Sequence, residues 1–152
     1  MVSIRKAVIS DTEEIYRLIN MYADEGIMLH RTLQSIYEHL QCFHVAESEG
    51  QVVGTVSLHV LDKDLAEVRS LVVAPEYTGR GIGRQLVEAT IKDALQLGIP
   101  QVLTLTYQVE FFQRCGFVLI EKENLPMQKI WKDCVNCPKF NHCDEVALIM
   151  RL

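Results

Sequence analysis

The sequence predicts a mixed α/β fold of the α+β kind, with a mostly antiparallel sheet of six to seven strands and helices on both faces, as one domain over residues 1–152. Three observations point there. An amphipathic helical pattern near the start gives way to short alternating strands joined by tight turns. An apolar strand then runs into a glycine-rich turn that opens a long amphipathic helix. Further strand patterns follow that helix. Hairpins first and strand–helix–strand afterwards imply a mixed sheet covered by helices.

Val2 to Ala7 reads as the opening strand. Ser10 and Glu13 have the spacing of a capping box, and Ile15, Leu18, Ile19 and Tyr22 recur behind them at helical spacing. That helix should run to about Glu25, where Gly26 stops it. A second helix starts from Thr32, with Leu33, Ile36, Tyr37 and Leu40 as its apolar stripe. Cys42 to Glu47 reads as a strand, followed by the polar turn Ser48-Glu49-Gly50-Gln51. Val52, Val56, Leu58 and Val60 alternate along the second arm of that hairpin, to Leu61. Leu65 to Val73 is the next strand and ends apolar on both faces, as a central strand should. Leu86 through Leu97 carry a helical stripe ended by Gly98 and Pro100. Val102 to Tyr107 (strand), Val109 to Cys115 (short helix), Gly116 to about Lys122 (strand) and Glu145 to Met150 (strand) complete the order.

Composition narrows the function. The chain is 49% apolar and 23% charged, ordinary for a globular protein. No apolar run approaches the ~20 residues of a bilayer-spanning helix. The N-terminus lacks the apolar core of a secretory signal, so a cytoplasmic location is expected. A formal net charge of −5 argues against nucleic-acid or anionic-membrane partners. A short turn can still gather positive potential for a small polyanion. Five cysteines in a chain of this kind argue against a disulfide framework.

The informative stretch is Thr78-Gly79-Arg80-Gly81-Ile82-Gly83-Arg84, between a strand and a helix. The first N–H groups of a helix have no intrahelical partner, and the peptide dipoles favour an anion over them. Glycines admit close backbone approach, and Arg80 and Arg84 add charge-assisted donors. A diphosphate suits this arrangement. A Walker turn would need Gly-Lys-Ser/Thr, whereas Arg84-Gln85 follows here. A dinucleotide fingerprint would need a third glycine where Leu86 stands. The spacing matches instead the CoA-binding signature Gln/Arg-x-x-Gly-x-Gly/Ala behind an apolar strand and a proline. On this turn, on Phe112-x-x-x-Gly116-Phe117 and on the order of elements, the chain resembles the GNAT acetyltransferase superfamily. Thr78 departs from the usual Gln or Arg.

That resemblance implies acetyl-CoA as cosubstrate. Leu71, Val72 and Val73 would offer backbone groups to the pantetheine arm, and amides from Gly79 to Arg84 would hold the pyrophosphate. The thioester would lie between two splayed strands. The acetyl acceptor would be an amine, and an ammonium must lose a proton before it can attack. Glu67, on the strand feeding the turn, matches the glutamate that serves as base in several such enzymes, and its apolar neighbours Leu65, Ala66 and Val68 suit that task. A salt bridge to Arg69, two positions on, is the competing reading. The usual tyrosine acid is replaced by Phe112, leaving Tyr107 or water to protonate the departing thiolate.

The segment Glu25 to Thr32 and the stretch around Leu125-Pro126 resemble the acetyltransferase domain of N-acetylglutamate synthases. By that likeness Arg31 grips an acceptor carboxylate, with Arg69 as a second contact, because a guanidinium fork matches a planar carboxylate. The expected acceptor is a small amino acid, glutamate by preference, in a short form of the arginine-biosynthetic enzyme without its kinase domain. Another amine (a polyamine, an antibiotic or a protein N-terminus) and a non-catalytic CoA-binding or metal-sensing module remain open. Cys134, Cys137 and Cys143, with His142, form the one candidate metal cluster. Zinc there competes with a reduced, packed loop, because the second pair lacks CxxC spacing. Pairing through exposed edges into a homodimer is also open.

Overall fold

In the computed structural model, residues 1–125 and 145–152 are described. The candidate metal loop at Cys134, Cys137 and Cys143 lies outside the described residues. Among those described, no three His, Cys, Asp or Glu side chains come together as a metal-holding group. Nor is any described helix long and apolar enough to cross a membrane.

The elements are β1 (Val2–Lys6), α1 (Thr12–Asp24), α2 (Leu33–Glu38), β2 (Phe43–Ser48), β3 (Gln51–Asp62), β4 (Leu65–Val73), α3 (Ile82–Leu97), β5 (Gln101–Thr106), α4 (Val109–Arg114), β6 (Val118–Ile120) and β7 (Val146–Arg151). The seven strands are ordered β1-β2-β3-β4-β5-β7-β6. β1 with β2, β2 with β3, β5 with β7 and β6 with β7 are antiparallel. β4 and β5 are parallel, pairing through Ala66↔Val102 and Glu67↔Leu103. The predicted mixed, mostly antiparallel sheet is what forms.

The chain divides into two units, Met1–Leu58 with Val68–Asp93, and His59–Glu67 with Ala94–Leu152. In the first, Ile15, Leu18 and Ile19 of α1, Ile36 of α2, Phe43 and Val45 of β2 and Val56 of β3 are fully buried. Burying each such side chain stabilises by roughly 1.5–3 kcal/mol. In the second, Leu61, Leu65 and Leu103 form a core against which Leu125 packs. Phe112 is buried there, edge-to-face with Phe111 at 5.1 Å and Phe117 at 5.3 Å. The residue in the usual tyrosine position is therefore an apolar packing element.

Three local expectations give way. Ser10 does not cap α1. A 3-10 turn over Ile9–Asp11 precedes the helix, and the Asp11 carboxylate accepts from the Val8 N–H at 2.8 Å. The same carboxylate takes a bidentate pair from Arg5 at 2.8 and 3.0 Å, so a half-buried ion pair stands in place of the expected capping box. On β3, alternation fails because residues 52–59 are buried in succession and Val60 is exposed, as befits a strand covered on both faces. Leu95 and Leu97 extend the stripe of α3 but are exposed, at 59% and 63%.

His44 on β2 is buried, and its Nδ1 has no partner among the described residues. Its Nε2 lies 3.7 Å from Asp93 Oδ2, and Lys6 Nζ lies 3.4 Å from the same oxygen. Burial lowers the imidazole below its usual range; Asp93 opposes the shift and Lys6 adds to it. With the folded value below the unfolded value of about 6.5, the unfolded state takes up the extra proton first as pH falls. Stability should therefore decline below about pH 6.5 and level off once the folded imidazole also protonates. Chemical denaturation at several pH values checks this, with His44→Gln as the control that loses this part of the pH dependence.

Candidate functional site

The turn is set by backbone conformation. A 3-10 turn over Pro75–Tyr77 follows β4, and the Thr78 hydroxyl donates to the Pro75 carbonyl at 3.0 Å. Thr78 thus closes the turn with the side chain that replaces the family's Gln or Arg. Gly79 and Gly81 stand at φ 78° and 79°, and a Cβ at either would meet nothing within 4 Å. The left-handed backbone, not lack of space, is what calls for glycine there. The first helical bond runs from the Gln85 N–H to the Gly81 carbonyl at 3.1 Å. The N–H groups of Ile82, Gly83 and Arg84 therefore precede the ladder at the positive end of a 16-residue helix.

The flanking arginines are less free than the sequence suggests. Arg80 lies over the Tyr77 ring at 4.8 Å and donates to the Glu76 carbonyl at 3.2 Å. Arg84 pairs with Glu88 at 3.3 Å, one helical turn on. Gly54 of β3 lets β4 and α3 approach closely: a Cβ there would come within 3.1 Å of Leu86 and 3.2 Å of the Val72 carbonyl oxygen. A glycine inside a strand pattern is a signal of such close approach. At the end of β4, Val72 is buried and Leu71 and Val73 are partly buried. The Tyr22 hydroxyl donates to the Val73 carbonyl at 2.8 Å, and the Ala74 N–H to the Val53 carbonyl at 2.8 Å. Burial pushes the Tyr22 hydroxyl up, and Glu25 and Glu76 add to it, so it remains a donor.

Arg31 is fixed along its whole length. Its backbone N–H donates to Asn20 Oδ1 at 3.1 Å, and Asn20 Nδ2 donates to its carbonyl at 2.9 Å. Its Nη1 donates to Ser70 Oγ at 3.1 Å and its Nη2 to Ser35 Oγ at 3.2 Å. The guanidinium carbon sits 5.1 Å from the centroid of the Phe43 ring, a cation–π contact. No carboxylate among the described residues pairs with it. Burial, together with the Arg69 charge, lowers Arg31 to about 10, still a cation at neutral pH. Burial pushes the nearby Cys42 thiol up, opposed by Lys6, Arg31 and Arg69. Positive potential therefore collects around Arg31 on a chain of net negative charge. A cavity of about 680 Å³ opens beside this loop, lined by Tyr16, Asn20, Met21, Arg31 and Leu33 among others.

Arg69 is partly buried on β4, and its carbonyl accepts from Ser57 Oγ at 3.1 Å. In the second unit, Glu67 is 3% exposed and stands opposite Leu103 in the parallel pairing. Sequence reasoning missed Ser70, Ser35, Asn20 and Tyr22. Ser35 carried a signal, since it lies four residues beyond Arg31, in the first turn of α2. Ser70 carried a weaker one, as the single small hydroxyl between Arg69 and the apolar Leu71-Val72-Val73 run. Tyr22 read simply as core.

Comparison with known proteins gives the family. Residues 8–117 match the model of the acetyltransferase (GNAT) family, and the chain belongs to it. It is 44% identical over 149 residues to an uncharacterised N-acetyltransferase of Chlorobaculum tepidum, covering 98% of this chain and 96% of that one. It is 42% identical over 121 residues to the amino-acid acetyltransferase of Mycobacterium tuberculosis, covering 78% of this chain and 69% of that one. Among solved structures, N-acetylglutamate synthase of Neisseria gonorrhoeae, complexed with coenzyme A and N-acetyl-glutamate, superposes with a TM-score of 0.88 at 28% identity. That match spans 100% of this chain and 35% of the longer one. The protein is an N-acetyltransferase of the GNAT family that takes its acetyl group from acetyl-CoA.

Proposed function

We propose that the acetyl group goes to the α-amino nitrogen of a small amino acid, glutamate by preference, by direct attack within a ternary complex. The observation that carries this is Arg31, a rigid, partly desolvated cation without a carboxylate partner among the described residues. Such a cation is costly to hold unless an anion completes it, and a bidentate carboxylate has the matching geometry. Arg69 adds like charge on the same side and attracts the same anion. The name of the Mycobacterium tuberculosis relative and the N-acetyl-glutamate of the Neisseria gonorrhoeae complex support the choice of an amino-acid acceptor.

In this reading the amides of Ile82, Gly83 and Arg84 hold the pyrophosphate, and the backbone of Leu71, Val72 and Val73 lines the pantetheine arm. The Val73 carbonyl brings one lone pair already taken by Tyr22. Glu67 removes one proton from the acceptor's ammonium. The freed amine attacks the thioester carbonyl, so a C–N bond forms and the C–S bond breaks. The second amine proton ends on the departing thiolate by way of solvent, because Phe112 has no proton to give.

The test follows thiol release from acetyl-CoA over free amino acids and over amines that lack a carboxylate. Glutamate should give the highest kcat/KM, and its decarboxylated analogue should lose most of the rate. Equal turnover of glutamate and carboxylate-free amines would overturn the assignment.

A further inference from the structure

Ser70 stands at φ 55° inside β4, in the left-handed region that a non-glycine residue enters at a steric cost. Such a residue persists only where its surroundings hold it, and its hydroxyl is engaged: Ser70 Oγ accepts from Arg31 Nη1 at 3.1 Å. On the other arm of the fork, Ser35 Oγ accepts from Nη2 at 3.2 Å. The same Nη2 also lies 3.5 Å from His39 Nδ1. A guanidinium has five N–H donors, so a hydroxyl acceptor on each arm orients the plane without cancelling the charge. The Phe43 ring covers the group at 5.1 Å, and Asn20 fixes the backbone that carries it.

We infer that Ser70 is a positioning residue for acceptor recognition: the left-handed turn of the backbone at this residue delivers its hydroxyl to Arg31 Nη1 and sets the plane in which the guanidinium meets the acceptor's carboxylate. The inference rests on the reading of Arg31 as the carboxylate grip. Serine suits the task better than its neighbours in chemistry. Threonine is β-branched and poorly tolerated at positive φ, and aspartate would place a competing carboxylate on the fork. Glycine would relieve the backbone but offer no acceptor.

The experiment measures KM for glutamate, KM for acetyl-CoA and kcat in Ser70→Ala, Ser70→Gly, Ser70→Asn and Arg31→Ala, with thermal unfolding of each. Losing a hydrogen bond to a charged group should raise the glutamate KM about tenfold in Ser70→Ala and Ser70→Gly, with the acetyl-CoA KM within about twofold. Ser70→Gly removes the steric cost, so the same KM rise in a variant at least as stable as the parent excludes misfolding as its cause. Ser70→Asn, which tolerates the left-handed region and supplies a carbonyl acceptor, should recover most of the loss. An unchanged glutamate KM in Ser70→Ala and Ser70→Gly, beside a raised one in Arg31→Ala, would overturn the positioning role alone. An unchanged glutamate KM in Arg31→Ala would overturn the carboxylate reading, and the role of Ser70 with it.

Discussion

Glu67→Gln should lower kcat by about 10²–10⁴-fold, the usual contribution of a positioned general base. The substitution keeps side-chain volume at a residue only 3% exposed, so the fold should survive it. Acetyl-CoA affinity should be unchanged, because the turn proposed to hold the diphosphate lies beyond the end of β4. Losing the base shifts deprotonation to solvent. The residual rate should then climb steeply with pH as the neutral fraction of the acceptor amine grows. Steady-state rates across pH, paired with a direct measurement of CoA binding, check both halves. A parent-like rate with a parent-like pH profile would remove Glu67 from the chemistry and leave it a buried structural carboxyl.

How much of this was legible in the sequence depends on the range of the interaction concerned. β4 was readable to its last residue because the apolar Leu71-Val72-Val73 run ending ahead of Pro75 is a local signal. The turn was readable for the same reason, since Gly79 and Gly81 report their own positive φ. The cradle of Arg31 was not. It draws on residues 20, 35, 43 and 70, and neither periodicity nor spacing records which distant hydroxyl meets which guanidinium arm. The capping box at Ser10 failed through a similar competition, because Arg5 draws Asp11 into an ion pair that reorganises the entry to α1. Alternation along β3 failed because a strand covered on both faces has no solvent side to alternate with. Local chemistry thus marks the glycine turn, whereas the surroundings of Arg31 are assembled by tertiary contacts that only the folded chain displays.

Arg31→Ala should raise the KM for glutamate by about 10²-fold, or about 3 kcal/mol, while the acetyl-CoA KM stays close to that of the parent. The split matters, because a general loss of structure would move both constants together. Folding should tolerate the change. Arg31 carries no ion pair with a described carboxylate, and its removal relieves the repulsion with Arg69 that contributes to lowering its pKa. What folding loses is a cation–π contact and hydrogen bonds to neutral groups, modest terms next to the desolvation it recovers. Arg31→Lys separates charge from shape. An ammonium keeps the charge but cannot span Ser70, Ser35 and a bidentate carboxylate at once, so its KM should fall between parent and alanine. If Arg31→Lys matched the parent, charge alone would suffice and the planar fork would be irrelevant to recognition. If Arg31→Ala raised both KM values equally, the residue would support the fold of the loop and not the acceptor.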